Sequence, residues 1–211
     1  MVSRPPVPDE IRNGRVIAIG RRLQPGSILP IAEALAEGGV RAFEVTMDSL
    51  DAIAALTALA REYSNGPLVL GAGTVLDMPS AEAAVDAGAR FLVTPHIDLE
   101  LIQWAVDREI PIFPGAFTPT EILAAWRAGA SAVKLFPASA VGPKFVRELR
   151  GPFADVPLIP TGGVSRENAW AFIAAGALGV GVGSWLTGGK TLALVRKRAA
   201  QIVTVVQPRK T

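Results

Sequence analysis

A helix-like pattern passes into a strand-like one at Ala128-Gly129-Ala130-Ser131-Ala132-Val133-Lys134-Leu135-Phe136-Pro137-Ala138. The glycine ends the helical pattern, and the apolar run after it closes at a proline, as in a helix that leads directly into a buried strand. The same joint recurs at Glu37-Gly38-Gly39-Val40, Ala87-Gly88-Ala89-Arg90 and Ala175-Gly176-Ala177-Leu178. This repeated joint predicts an α/β protein.

Strand-like runs alternate with helix-like segments along the whole chain. The predicted strands are 15–20, 40–45, 68–71, 90–94, 110–113, 131–136, 157–160 and 178–182, and the predicted helices are 27–37, 50–63, 79–87, 98–108, 118–128, 143–149, 165–175 and 187–206. Eight such units in one chain favour a compact single-domain (β/α)₈ TIM barrel, with an open doubly wound sheet as the alternative. We expect one domain over 1–211, with frayed ends at about 1–12 and 207–211.

Composition excludes several classes of protein. The chain has 211 residues, no cysteine, a net charge of +2 and 50% hydrophobic residues, which suits one well-packed core. Without cysteine there are no disulfides or thiolate sites, and we expect a cytoplasmic protein without a signal peptide. No basic stripe indicates nucleic-acid binding, and the uncharged stretch 169–189 contains too many glycines for a membrane helix.

Lys134 is the residue that most requires a chemical explanation, because it lies between Val133 and Leu135 in an apolar run. Burial lowers the pKa of a lysine amine and makes it a nucleophile toward carbonyl carbon, so Lys134 is a candidate Schiff-base residue. Glu44 is a similarly placed carboxylate in another predicted strand, and it could move protons for Lys134. The alternative for each is a structural Glu–Lys ion pair. Their place at the carboxyl ends of barrel strands favours catalysis.

Glycine-rich turns follow the last two predicted strands, at Gly162-Gly163-Val164 and Gly181-Val182-Gly183-Ser184. Barrels commonly bind phosphate there through backbone N–H groups, although glycines also simply make tight turns. No ATP or NAD motif is complete in the sequence. His96 is the only histidine, and even with Asp98 it gives too few ligands for a metal site, so we expect it at the mouth of the barrel or as a helix cap.

Six stretches together resemble the 2-keto-3-deoxy-6-phosphogluconate (KDPG) / 4-hydroxy-2-oxoglutarate (KHG) aldolase family, in the family's order from the second strand to the eighth. The stretches are Gly38-Gly39-Val40 with Phe43-Glu44-Val45-Thr46, Gly71-Ala72-Gly73-Thr74-Val75, Pro114-Gly115 with Thr118-Pro119-Thr120-Glu121, Lys134-Leu135-Phe136-Pro137-Ala138, Pro160-Thr161-Gly162-Gly163-Val164 and Gly181-Val182-Gly183-Ser184.

The resemblance implies a class I aldolase without metal or cofactor, trimeric in the family, that cleaves a 2-keto-4-hydroxy acid to pyruvate and an aldehyde. The aldehyde is glyceraldehyde 3-phosphate from KDPG or glyoxylate from KHG. It implies that Lys134 forms the Schiff base and that Glu44 shuttles protons. The other implied site residues are Arg21, Thr46, Gly73, Thr74, Pro95, Phe136 and Thr161 for the keto acid, and Gly162, Gly163, Gly183 and Ser184 for a distal phosphate.

The sequence departs from the family's pattern at two points of the mouth. Where many members have an arginine shortly after the strand-two glutamate, this chain has Asp48, so we assign carboxylate binding to Arg21, with Arg22 as the adjacent competitor. His96 follows Pro95 where the family has a smaller residue. Both departures leave the identity of the aldehyde half open.

Two other functional classes remain at this point. A phosphosugar isomerase or synthase would use Lys134 only as an electrostatic stabiliser and would form no covalent adduct with a keto acid. A non-catalytic barrel that binds a sugar acid is favoured only if Asp48 and His96 block the pocket.

Overall fold

The structure, a computed structural model, describes residues 4–208. Over this range the strands pair in parallel wherever they are neighbours. They are β1 (Val16–Gly20), β2 (Ala42–Thr46), β3 (Val69–Gly73), β4 (Leu92–Val93), β5 (Ile112–Phe113), β6 (Gly115–Ala116), β7 (Val133–Leu135), β8 (Leu158–Pro160) and β9 (Val180–Val182). Each predicted strand is therefore confirmed; most have shorter bounds, while β2 and β3 end at Thr46 and Gly73, one and two residues beyond the predicted ends.

The strands close into a barrel. Their order is β5-β4-β3-β2-β1-β9 in one sheet and β6-β7-β8 in the other. Pro114 separates β5 from β6, which are two halves of one barrel strand, because proline has no N–H to donate to a ladder. On the other side, Thr161 directly follows β8 and forms a parallel β-bridge with Gly181 of β9. This bridge joins the two sheets. The result is the predicted eight-stranded TIM barrel.

The helices alternate with the strands and cover the barrel. They are α1 (Asp9–Gly14), α2 (Ile28–Glu37), α3 (Ala52–Glu62), α4 (Met78–Asp86), α5 (Leu99–Asp107), α6 (Pro119–Arg127), α7 (Gly142–Leu149), α8 (Arg166–Ala174), α9 (Ser184–Thr187) and α10 (Leu192–Val206). One buried apolar cluster lies between these helices and the strands, and a second fills the barrel around Phe91 and Phe113, whose ring centroids are 5.6 Å apart.

The four helix-to-strand joints have the predicted geometry. Gly39, Gly88, Gly129 and Gly176 all have left-handed backbones, with φ between 90° and 103°. At Gly129, the N–H of the next residue, Ala130, donates to the carbonyl of Ala125 at 3.2 Å, which closes a Schellman motif. These glycines end each helix and turn the chain directly into the barrel.

Two predictions about helices are wrong. The helix predicted over 187–206 begins only at Leu192, because the pair Gly188-Gly189 ends the short helix α9 and Thr191 caps α10 through a hydrogen bond from Leu194 N at 3.2 Å. The segment 1–12, predicted to be frayed, contains the start of α1, whose Ile11 is buried in the barrel cluster.

The described part of the N-terminal segment is fixed by polar contacts as well. Arg4 donates to the carbonyl oxygens of Trp126 and Ala130 at 2.7 and 2.8 Å, and its guanidinium lies 3.3 Å from the centroid of a Trp126 ring. At the other end, Gln207 donates to the carbonyl of Asn13 at 3.4 Å. Residues 1–3 and 209–211, for which fraying was also predicted, lie outside the described residues. No helix within 4–208 is long and apolar enough to cross a membrane.

Candidate active site

Lys134 and Glu44 face the interior of the barrel from opposite sides. Lys134 is on β7, paired with Gly115 and Ile159, and Glu44 is on β2. Around the closed barrel these strands are the sixth and the second, so three strands lie between them in either direction. The exposed fractions are 6% for Lys134 and 2% for Glu44. Sequence reasoning predicted this juxtaposition, and the structure brings the two residues into one buried site.

The electrostatics of the two groups are coupled. Burial raises the pKa of Glu44 to about 7, against the lowering effect of the positive charges on Lys134 and Arg21. Burial also lowers the pKa of Lys134, which the charge of Glu44 opposes and that of Arg21 reinforces. Near neutral pH, Glu44 can therefore both accept and donate a proton, and the lowered pKa of Lys134 increases the share of its amine that is neutral and nucleophilic.

The geometry does not support the alternative of a structural ion pair between Glu44 and Lys134. Among residues 4–208, the ion pairs within 4.0 Å do not include one between Glu44 and Lys134. The described neighbour of the Lys134 ammonium is the ring of Phe136, with Nζ 4.9 Å from the ring centroid. Each group shifts the pKa of the other, but the two do not form a direct ion pair.

The end of β3 makes room for the Glu44 carboxylate. A Cβ atom at Gly73 would overlap Oε1 of Glu44, so only glycine fits at this position without displacing the carboxylate. The next residue, Thr74, has φ 55°, a left-handed conformation that is rare for a β-branched residue. Strain of this kind costs about 1–3 kcal/mol and clusters at functional sites. Of the two predicted substrate-binding residues of this turn, Gly73 lies beside Glu44 and Thr74 directly follows Gly73.

Thr46 and Thr161 were predicted to contact the substrate, but the hydroxyl of each already forms a hydrogen bond within the protein. Thr46 Oγ1 donates to the carbonyl of Gly20 at 3.3 Å and lies 3.1 Å from Ser49 Oγ. Thr161 Oγ1 donates to the carbonyl of Ile159 at 3.2 Å. Both residues are buried at the carboxyl ends of their strands, where they hold neighbouring backbone in place.

The two consecutive arginines after β1 have different surroundings. The charge of Arg21 lowers the pKa of both Glu44 and Lys134, after the larger effects of burial and of the two groups on each other. Its guanidinium is therefore within electrostatic reach of both groups. Arg22 instead has a left-handed backbone, with φ 49°, and its Nε donates to Oδ2 of Asp48 at 2.9 Å. The structure therefore favours Arg21 over Arg22 for binding a carboxylate in the site.

A cavity of about 240 Å³ opens at the carboxyl ends of β7, β8 and β9. The predicted phosphate residues form much of its wall, together with four residues that sequence reasoning did not select, Ile19, Val164, Ser165 and Trp185. The lining residues are Ile19, Phe136, Thr161, Gly162, Gly163, Val164, Ser165, Gly183, Ser184 and Trp185. Val164, Ser165 and Trp185 lie within two residues of predicted phosphate residues, and Ile19 lies two residues before Arg21, so adjacency was the signal that could have found them. A larger cavity of about 490 Å³, beside Asp9, Arg90 and Glu109, is at the opposite end of the barrel and contains none of the predicted site residues.

The mouth residues after β4 are half-buried. Pro95 approaches the backbone of β6 closely, since a Cβ at Gly115 would lie 2.5 Å from the Pro95 carbonyl. The backbone carbonyl of His96 accepts a hydrogen bond from Thr94 Oγ1, while the cap of α5 is the side chain of Asp98, which accepts from Leu101 N at 3.1 Å. The cap alternative for His96 is therefore wrong, and His96 lines the mouth.

No group of three or more His, Cys, Asp or Glu residues within 4–208 could hold a metal ion.

A family model described as KDPG and KHG aldolase matches residues 7–205 of the chain. The 2-dehydro-3-deoxy-phosphogluconate aldolase of Pseudomonas aeruginosa is 39% identical over 176 residues, which are 83% of this chain and 79% of that protein. The 2-dehydro-3-deoxy-6-phosphogalactonate aldolase of Escherichia coli is 35% identical over 190 residues, 89% of this chain and 92% of that one.

Solved structures give the same relationship. A KDPG aldolase from Legionella pneumophila, with pyruvate captured as a covalent carbinolamine intermediate, superposes with a TM-score of 0.79 at 30% identity and covers 93% of this chain and 94% of its own. A cube-shaped protein cage designed by fusing symmetric oligomeric domains superposes with a TM-score of 0.86 at 34% identity, over 90% of this chain and 71% of the cage chain.

Proposed function

The chain belongs to the KDPG and KHG aldolase family and is a class I aldolase, and from this premise we propose that Lys134 and Glu44 cleave a 2-keto-4-hydroxy acid to pyruvate and an aldehyde. One observation carries the assignment of residues. Two buried ionisable groups on opposite barrel strands, without an ion pair between them, have pKa values shifted toward the neutral range. Membership of this family decides against the isomerase and non-catalytic alternatives.

The first half of the reaction builds the imine. The neutral Nζ of Lys134 attacks the C2 carbonyl carbon of the substrate, and the carbonyl oxygen takes up a proton to give a carbinolamine. Protonated Glu44 donates its proton to that hydroxyl, which leaves as water while the nitrogen lone pair forms the C=N bond. The product is a protonated imine on Lys134, and Glu44 is left as a carboxylate ready to act as a base.

The second half breaks the carbon–carbon bond. Glu44 takes the proton of the C4 hydroxyl, the C4–O bond becomes a carbonyl, and the C3–C4 electron pair moves into C2–C3 as the iminium nitrogen becomes neutral. The aldehyde departs and leaves an enamine. Glu44 then returns the proton to C3, and water hydrolyses the imine to release pyruvate and the Lys134 amine. A pKa of about 7 fits a group that must alternate between acid and base.

The substrate's C1 carboxylate is proposed to lie near Arg21 and the turn Gly73-Thr74. Arg21 is the cation whose charge acts on both catalytic groups, and the turn borders the Glu44 carboxylate. Phe136 and Pro95 complete the wall around the pyruvoyl half.

The distal end of the substrate is proposed to occupy the cavity after β8 and β9. The carbonyls of Thr161 and Gly162 accept hydrogen bonds from Ala138 N at 2.8 Å and Ser139 N at 3.0 Å. In a trans peptide the N–H points away from the C=O, so the N–H groups of Gly162 and Gly163 point away from that turn. Together with Gly183 and Ser184 they suit a phosphate group, as KDPG would present. KHG, which carries a carboxylate instead, remains the second substrate candidate.

The assignment is tested by intact-mass measurement after incubation with pyruvate and borohydride, followed by peptide mapping. We expect one reduced adduct on Lys134, because borohydride reduces an imine to a stable amine. Lys134→Arg should keep the fold, lose the adduct and release no pyruvate in a coupled assay. An adduct on another lysine, or turnover by Lys134→Arg, would remove Lys134 from its role.

Homotrimeric assembly and a cytoplasmic location are proposals as well. Apolar side chains exposed at the mouth support assembly, as does the use of a similar domain in a cage built from symmetric oligomers. The cysteine-free sequence supports the location.

A further inference from the structure

Asp48 holds both arginines of the mouth with a single carboxylate oxygen. Its Oδ2 accepts from Arg22 Nε at 2.9 Å and lies 3.6 Å from Arg21 Nη2. The side chain of Asp48 is 23% exposed, against 56% for Arg21 and 71% for Arg22. The most buried member of the trio is therefore the one that both guanidinium groups share.

The turn that presents Asp48 is fixed to three barrel strands. Ser49 Oγ accepts from the backbone N–H of Arg22 at 3.0 Å and contacts Thr46 Oγ1, which donates to the Gly20 carbonyl at the end of β1. Met47 N donates to the carbonyl of Gly73 on β3 at 2.8 Å. Because Thr46 and Ser49 are buried, the carboxylate has a defined position relative to β1, β2 and β3.

The charge of Asp48 persists through the neutral range. Burial raises its pKa, but the hydrogen bond from Arg22 and the charges of Arg21 and Arg22 oppose burial, and the pKa lies below its ordinary value. Two guanidinium groups and one carboxylate leave a single net positive charge at this edge of the barrel. One positive charge matches a substrate that presents one carboxylate there.

We propose that Asp48 is a positioning residue, which fixes Arg22 at the rim and orients Arg21 so that its free N–H donors meet the carboxylate of the keto acid. Without Asp48, two adjacent flexible cations would compete for the same carboxylate. Arg21 would also lose the contact that holds its guanidinium toward Glu44 and Lys134. The inference rests on the proposed function, since it assumes a keto acid bound through Arg21.

The test is the pyruvate concentration that gives half-maximal borohydride trapping on Lys134, measured for the wild type, Asp48→Asn, Arg21→Gln and the double variant. We expect Asp48→Asn to raise this concentration about five-fold, the effect of losing an ion pair of about 1 kcal/mol. The trapping rate at saturating pyruvate should stay unchanged. Because Asp48 acts through Arg21, Asp48→Asn should have no further effect in the Arg21→Gln background.

Arg22→Gln is the matched control, because it removes the other guanidinium on Asp48 and leaves Arg21 paired. It should keep the half-saturating pyruvate concentration within two-fold of wild type. Equal effects of Asp48→Asn in the presence and absence of Arg21, no effect at all, or a fall in the saturating rate would overturn the positioning role. A wild-type enzyme that traps no pyruvate would instead overturn the proposed function, and with it this inference.

Discussion

At the scale of single residues, Lys134 and Glu44 are placed where each costs stability. An ionisable group moved from water into the barrel interior loses hydration, and among the described residues neither forms an ion pair within 4.0 Å to replace it. The proposed reaction uses this cost, because the same burial that penalises the charged forms brings the pKa values of an amine and a carboxyl group toward each other.

The first prediction separates imine formation from bond cleavage. Glu44→Gln keeps the shape of the side chain but cannot take a proton from the C4 hydroxyl, so kcat should fall about 10²- to 10⁴-fold. The variant should still give the borohydride-reduced adduct with pyruvate on Lys134. Mass spectrometry and a coupled pyruvate assay on the same sample measure both effects, and wild-type turnover by Glu44→Gln would assign proton transfer to another group.

The second prediction concerns stability against pH. The folded-state pKa of Glu44, about 7, is above its ordinary value of 4.5. As pH rises through this window, Glu44 ionises in the unfolded chain but remains protonated in the folded one, so the free energy of unfolding falls. Glu44→Gln removes this loss and should gain roughly 2 kcal/mol over wild type at pH 8 relative to pH 4.5, after allowing for the lost attraction to Lys134.

Urea unfolding at the two pH values measures this difference in free energy. Glu100→Gln, at an exposed position of α5, is the control for the removal of one solvated carboxylate, and it should show no such pH-dependent gain. A gain of the same size in Glu100→Gln would mean that the effect is one of overall charge and not of burial at Glu44.

At the scale of elements, helix ends were more predictable than chain segments with weak local signals. The glycines of the four joints predict a residue with a left-handed backbone, and the structure has one at each joint. Helix α1 has no such pattern: it is ordered because Ile11 packs inside the barrel, a tertiary contact that six residues of sequence do not reveal. The start of α10 at Leu192 was missed because the pair Gly188-Gly189 was given less weight than the apolar pattern around it.

The third prediction tests how β3 supports the site. Gly73→Ala places a methyl group where Oε1 of Glu44 lies, so the carboxylate must swing away from its position. We expect a folded protein whose kcat is at least about 10-fold lower, because a catalytic group displaced by about 1 Å loses much of its effect. Gly26→Ala is the control, since a Cβ there meets nothing within 4 Å, and it should retain full activity. Unchanged kcat in Gly73→Ala would show that the Glu44 position is not critical.

At the scale of the whole molecule, the closed barrel explains why the placement of Lys134 and Glu44 could be predicted and the contacts at the mouth could not. Strand order in a barrel follows chain order, so charged residues in the second and sixth strands must face each other across the interior. The contacts of Asp48 with Arg21 and Arg22 depend instead on side-chain directions after the strands end. Sequence alone marked Asp48 as a departure from the family's pattern, but it did not show what Asp48 binds.

The exposed apolar side chains of the described residues are concentrated in one arc of the mouth. Five of the seven large ones follow the consecutive strands β2 to β6, with exposed fractions between 38% and 68%; they are Leu50, Ile53, Leu76, Leu99 and Phe117. Each lies between the end of a strand and the first turn of the next helix, so they share one rim of the barrel. A continuous apolar rim of this kind is typical of a subunit interface.

The last prediction is that this arc holds the proposed trimer together. Leu50→Asp combined with Leu76→Asp puts charge into the apolar arc, and light scattering after size exclusion should change from a trimer to the 22.1 kDa monomer. Leu192→Asp is the control, because Leu192 is 47% exposed but begins α10, outside the arc. A trimer that persists in the double variant would place the interface elsewhere. Since Leu50 is two residues from Asp48, loss of the trimer should also raise the KM for the keto acid if the interface steadies the mouth.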